Sequence, residues 1–212
     1  MPPTTPISRS KTAALNRILD VVPRGYQRYT CGTVSATKAK YLANKFHALY
    51  SISASPAQRL VRKRRGLANT ILVLYWPEGV EKVHWLLLAT EGTGLESEQL
   101  RNVTDKPRLQ WLEYELVRHA TRGRTSWTWR RPKAAMADWY ALLGEQFKRH
   151  NTGAVADILN AIARQPGFHG VREQSWALCQ FARQYGYRDE LPFLYYVQKV
   201  SHGEPLLLDL VS

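Results

Sequence analysis

The chain has 212 residues, 44% of them hydrophobic, enough to bury the core of one domain or of a domain with a helical appendage. Its 30 Lys and Arg against 17 Asp and Glu give a formal charge of +13. Two cysteines, Cys31 and Cys179, are too few for a disulfide framework or a cysteine-based zinc site, and no apolar run approaches the roughly 20 residues of a spanning helix.

The distribution of charge says more than its total. Residues 1–66 hold 13 basic residues and a single acid, Asp20, whereas residues 67–212 hold 17 and 16. A chain needs no such asymmetry to stay in solution, so a polyanionic partner is the economical explanation, nucleic acid first. The N-terminus lacks the apolar core of a signal peptide, so no membrane and a reducing, cytoplasmic setting are expected.

In chain order, residues 1–12, with Pro2, Pro3 and Pro6, read as a flexible tail, and Ala13 to Val22 as a short helix ended by Pro23. Together residues 1–24 make a flexible or weakly helical basic arm. Tyr26 to Val34 is a strand by composition. From Ser35, residues Ala39, Leu42, Ala43, Phe46 and Leu49 recur at helical spacing while Lys38, Lys40 and Lys45 face away. Ser55 and Pro56 then open a short helix closed by Gly66, with Arg59, Arg62, Lys63, Arg64 and Arg65 spread around it. If the two helices pack side by side, their cations form one continuous surface.

Leu67 to Thr90 is the most apolar pattern in the chain, two runs about a Pro-Glu-Gly turn. Ile71, Val73 and Tyr75 alternate with the equally apolar Leu72, Leu74 and Trp76, which predicts a hairpin of central strands covered on both faces. An acidic connection follows, then a second hairpin, Leu109 to Ala120 and Thr125 to Arg131, with Arg122 and Arg124 at its turn. Trp127 and Trp129 share a face of the returning strand and read as core. Helices are expected from Pro132 to His150, from Thr152 to Ile162 and from Val171 to Tyr185, then a strand from Phe193 to Val200 and a leucine-rich end at Leu206 to Leu210.

The fold expected is α+β, a mainly antiparallel sheet of about five strands flanked by helices, with a C-terminal three-helix part. Residues 25–131 would form the core with its basic helices and two hairpins, and residues 132–212 a helical part of the same globule.

The chemical inventory is sparse. Six histidines are well separated, and none forms a pair with metal-binding helical spacing. His119, beside Arg118 and Arg122, is the one candidate for acid or base work on a phosphodiester, while His84 sits in an apolar strand as a core residue. Glu113 and Glu115 share a strand face without a third ligand and are expected to pair with arginines. No metal site and no cofactor motif is legible, and an enzyme is the lesser expectation.

The functional expectation is therefore a non-catalytic nucleic-acid-binding protein, DNA or RNA, serving as a small subunit of a nucleoprotein complex in a mobile-element or defence setting, beside other protein subunits. Phosphates would be met by Lys38, Lys40, Lys45, Arg59, Arg62, Lys63, Arg64 and Arg65, with the hairpin arginines Arg122, Arg124, Arg130 and Arg131 as a second contact. The alternatives are an interaction or inhibitor protein whose basic face meets an acidic protein, and a metal-independent ribonuclease using His119.

Overall fold

The computed structural model describes residues 5–121, 123–197 and 204–205, and the chain divides into two compact units, Met1–Pro107 with Val200–Ser212, and Arg108–Lys199. The second hairpin therefore shares a unit with the C-terminal helices, and the division falls at Pro107 rather than beside Pro132.

The first unit is a mixed sheet with helices on both faces. Its strands are β1 (Pro6–Ser8), β2 (Arg28–Ser35), β3 (Thr70–Tyr75), β4 (Lys82–Ala89), β5 (Arg101–Asn102) and β9 (Glu204–Pro205), in the order β5-β2-β4-β3-β1-β9. Every pairing is antiparallel except β1 with β3. All six residues of β3 are buried, as its two apolar faces require. On one face α2 (Ala36–Tyr50) lays Ala39, Ala43, Phe46 and Tyr50 against Leu72, Leu74, Val83 and Leu87. Elsewhere α1 (Lys11–Val21), capped by the Ser10 hydroxyl, packs against β3 with Ala14, Leu15 and Ile18 fully buried. Each such leucine or isoleucine contributes roughly 1.5–3 kcal/mol by leaving water.

The helix expected from Ala13 to Val22 forms as α1, and the flexible tail expected over residues 1–12 is corrected from residue 6 onward. Residues 6–8 are a sheet strand and residues 11–21 a docked helix. The missing signal was tertiary: β1 is only three residues long and its partner, β3, lies far along the chain.

The second unit gathers the other hairpin into its own sheet, β6 (Gln110–Trp111), β7 (Tyr114–Thr121) and β8 (Arg124–Arg130), all antiparallel. The strand expected from Leu109 to Ala120 is broken, because Leu112 and Glu113 both take positive φ and turn the chain tightly between β6 and β7. Three helices follow: α4 (Lys133–Lys148), α5 (Thr152–Ala163) and α6 (His169–Gln184). Leu143, Val155, Leu159, Ile162, Leu178 and Ala182 form their common core. Asn151, not Thr152, caps α5, its side chain accepting from the Ala154 amide. The N-terminal turn of α6 lies on β8, where the Gly170 amide donates to the Thr128 hydroxyl, 3.1 Å. A Cβ at Gly170 would stand 2.7 Å from the Trp129 carbonyl, so only glycine fits.

Through Val197 the expected C-terminal strand is irregular chain, and the leucine-rich end lies outside the described residues. No helix among the described residues is long and apolar enough to cross a membrane.

Candidate functional site

The basic helix forms where expected. α3 (Pro56–Arg64) opens with a reciprocal capping box: the Gln58 amide donates to the Ser55 hydroxyl, and the Ser55 amide donates to the Gln58 side chain at 2.7 Å. Pro56 takes the first helical position, and Gly66 at φ 72° supplies the left-handed stop. No residue of α3 is buried, and even Leu60 and Val61 are 51% and 44% exposed. The helix is held by its ends rather than by a docked face.

Its cations divide into three groups. Arg62 is structural: its Nε and Nη2 both donate to the Ala68 carbonyl, at 3.2 and 2.8 Å, and its Nη1 reaches the Ser51 hydroxyl at 3.4 Å. Arg59 is half-buried, with an Nε that no atom partners. Lys63, Arg64 and Arg65 are exposed, and none of them has an acidic partner among the described residues.

On α2 the three lysines are exposed but do not share one face. At about 100° per residue, Lys38 and Lys45 fall within about 20° of each other, and Lys40 stands on the opposite flank of the buried stripe. His47, on the Lys40 flank, lines a groove of about 450 Å³ with Ala57, Gln58, Val61 and Arg62, so α3 lies on that side. The single surface expected from both helices is thus one cationic face around Lys40 and α3, with Lys38 and Lys45 turned elsewhere.

Behind α3 is a smaller, polar pocket of about 230 Å³. Arg17 from α1, Arg59 from α3, Ser53 from the loop before α3 and Thr5 line it, together with Ile71 to Leu74 of β3. Burial pulls the Arg17 guanidinium below its ordinary value; Asp20 opposes this and Arg59 adds to it.

In the second unit the hairpin arginines are largely spoken for. Arg131 is a correction: it is 3% exposed, and its guanidinium donates to Gln165 Oε1 at 2.6 Å, the Val171 carbonyl at 3.1 Å and the Ser175 hydroxyl at 2.8 Å. Burial lowers it to about 10, with Tyr114 opposing the shift. It joins β8 to α6 and cannot reach a phosphate. Arg130 pairs with Glu115 at 3.1 Å, and the same carboxylate takes Arg108 at 3.4 Å, which is the arginine pairing expected of Glu115. Glu113 lies in the turn, not on the strand face. Arg118 stacks 4.9 Å over Trp127, and Trp129 is fully buried. Arg124 lies in β8, and Arg122 lies outside the described residues.

The fold also assembles a group that the sequence kept apart. His119 on β7 and His169 at the start of α6 stack at 4.0 Å between centroids. Both direct Nδ1 at one oxygen of Glu173, His119 from 3.9 Å and His169 from 3.5 Å. The sequence singled out His119 alone. His169 and Glu173 carry a faint signal, an i, i+4 pair on a helix, and only the docking of α6 on β8 brings them to His119. His84 is half-buried in β4 beside Tyr75, and burial, then Lys11 and Lys82, push it below the ordinary histidine value.

No family model, curated protein or solved structure matches the chain.

Proposed function

We propose that this protein binds nucleic acid through phosphate contacts made by the first unit, with α3 at the centre of the contact. The observation that carries the reading is the run Lys63, Arg64 and Arg65, three exposed adjacent cations without acidic partners among the described residues, around the end of a helix that buries nothing. Adjacent like charges destabilise a helix end beyond what the negative C-terminal dipole offsets, and a polyanion relieves that repulsion. Lys40 extends the face on α2. Contacts of this kind are largely independent of sequence and weaken steeply with salt.

Lys40, Lys63, Arg64 and Arg65 are the principal contacts, Lys38 and Lys45 reach phosphates only on a strand that bends around α2, and Arg62 positions the helix end. Arg130 and Arg131 are excluded by their internal partners. The exposed Leu60 and Val61 favour a second reading, in which the same face meets an acidic protein.

Fluorescence anisotropy of labelled single- and double-stranded DNA and RNA, each titrated at several salt concentrations, tests the proposal. Binding with a steep inverse salt dependence supports it. No binding to any strand at low salt overturns it and leaves the acidic-protein reading.

A further inference from the structure

The pocket behind α3 contains an electrostatic imbalance. Arg17 and Arg59 converge on one polar space of about 230 Å³. Neither side chain has a hydrogen-bond or ion-pair partner among the described residues, and the Arg59 Nε and the Ser53 hydroxyl are buried with nothing to bond. Two guanidinium groups brought together repel, Asp20 offsets this only at Arg17, and an unmade buried hydrogen bond costs about 1–3 kcal/mol. Native chains keep such arrangements where a ligand completes them. The pocket also borders β3 over Ile71 to Leu74, and the ladder with β1 begins only at Leu74.

The ligand chemistry follows from the donors. Guanidinium forks and a hydroxyl match the tetrahedral oxygens of a phosphate, and the volume suits a phosphate group rather than a stretch of duplex. Arg59 stands on the same helix as Lys63 and Arg64, so a chain end held in the pocket places its following phosphates against α3. We propose that this pocket binds the terminal phosphate monoester of a nucleic-acid strand, an inference that rests on the phosphate-contact reading of α3.

The test uses the full chain and three internally labelled single strands of one sequence, ending in a 5′-phosphate, in a 3′-phosphate or in hydroxyls at both ends. One phosphorylated end should bind at least about tenfold more tightly than the hydroxyl strand, a difference expected of charge-assisted bonds to two arginines. Arg17→Gln should abolish that preference and leave hydroxyl-strand affinity unchanged; a melting curve checks its fold, because Asp20 loses a favourable neighbouring charge in the variant. Equal binding of all three strands overturns the terminal-phosphate site while the α3 reading stands. No binding of any strand overturns both.

A different observation carries a second inference, in the other unit. Two imidazoles and a carboxylate from two elements converge, with one donor atom from each lying within 4.8 Å of the others. Around a tetrahedral ion with bonds of about 2.0–2.2 Å, donor atoms stand about 3.3 Å apart. The separations of 3.5 and 3.9 Å to Glu173 thus approach a coordination edge and close by small side-chain rotations. His169 and Glu173 also line a cleft of about 660 Å³ with Arg172, Trp176, Glu190 and Phe193. Three protein ligands beside open space are the arrangement of a site that keeps a position for water or another exogenous ligand.

We infer that His119, His169 and Glu173 bind a zinc-class divalent cation with an open coordination position. Isothermal titration of the chelator-treated full chain with zinc chloride should show one site, weakened at least about tenfold by His119→Ala and by Glu173→Gln. His150→Ala, an exposed histidine outside the cluster, should leave it unchanged. Glu173→Gln is near-isosteric on an exposed side chain, so it reports even if the His119 variant does not fold. The inference fails if no stoichiometric binding appears, or if binding survives Glu173→Gln undiminished.

Discussion

Arg131 donates through Nη2 to the Ser175 hydroxyl at 2.8 Å, and that hydroxyl in turn donates to the Val171 carbonyl at 2.9 Å, which also accepts from Arg131 Nη1. The three groups close a buried ring of hydrogen bonds between the end of β8 and α6. Around it, Gln174 accepts from the Arg131 amide at 2.7 Å and donates to the Arg131 carbonyl at 3.0 Å.

Arg131→Ala should therefore act on stability. It removes the buried hydrogen bonds to Gln165 Oε1, the Val171 carbonyl and the Ser175 hydroxyl, a loss of about 2–4 kcal/mol. Arg131→Lys recovers part of this, because an ammonium cannot reproduce the planar fork. Urea denaturation of the two variants and the parent gives the ranking, and a neutral Arg131→Ala would contradict the structural role.

Replacing Lys63, Arg64 and Arg65 together with Gln should leave the melting temperature close to the parent's, since none makes a side-chain hydrogen bond or ion pair among the described residues. Binding should weaken, and the slope of log affinity against log salt should become shallower by roughly one for each phosphate contact removed. Arg62→Gln should behave in the opposite way, lowering stability through the Ala68 carbonyl and the Ser51 hydroxyl. Anisotropy and thermal denaturation on the same samples separate the two.

Ser55→Ala removes half of the capping box at a cost of about 1 kcal/mol. Because α3 docks no buried residue, that cost falls on the helix itself. Amide exchange across residues 56–64 should accelerate while exchange in β3 and β4 stays slow. Affinity for nucleic acid should fall although no cation is lost.

His84 supplies a pH dependence. Its folded-state value lies below the ordinary 6.5, from burial first and then from Lys11 and Lys82. A group depressed by folding contributes stability that is whole above its unfolded value and declines as the pH falls toward the folded one. Denaturant midpoints should drop as the pH is lowered from about 6.5, and His84→Gln should flatten that decline. An unchanged profile in the variant would assign the acid sensitivity to other groups.

What was legible in the sequence follows from how local each cause is. The caps of α3, the buried face of α2 and the double-sided burial of β3 are written in neighbouring residues, and all three form. Arg131 was misread because nothing in its neighbours tells a surface guanidinium from one enclosed by Gln165 and Ser175, 34 and 44 residues away. Leu112 and Glu113 hide a turn because neither is a residue that favours positive φ. The His119, His169 and Glu173 group, like the Arg17 and Arg59 pocket, exists only once separate elements have docked. Helix spacing and charge counts see single segments, and both groups are properties of pairs.

The parallel pairing of β1 with β3 carries a consequence in time. Arg9 donates to the carbonyl of Trp76, 67 positions further along the chain. A contact of that span waits until β2, α2, α3 and the first hairpin have brought its partner into place, because loop closure must precede any gain from it. The segment from Thr5 to Arg9 is thus among the last to be seated. Thr5 and Pro6 belong to that segment and also wall the arginine pocket. Half-folded chains carry the cationic helix without a finished pocket, so on the proposed reading they would hold polyanions by charge alone, and selection by strand end would begin only when β1 joins β3.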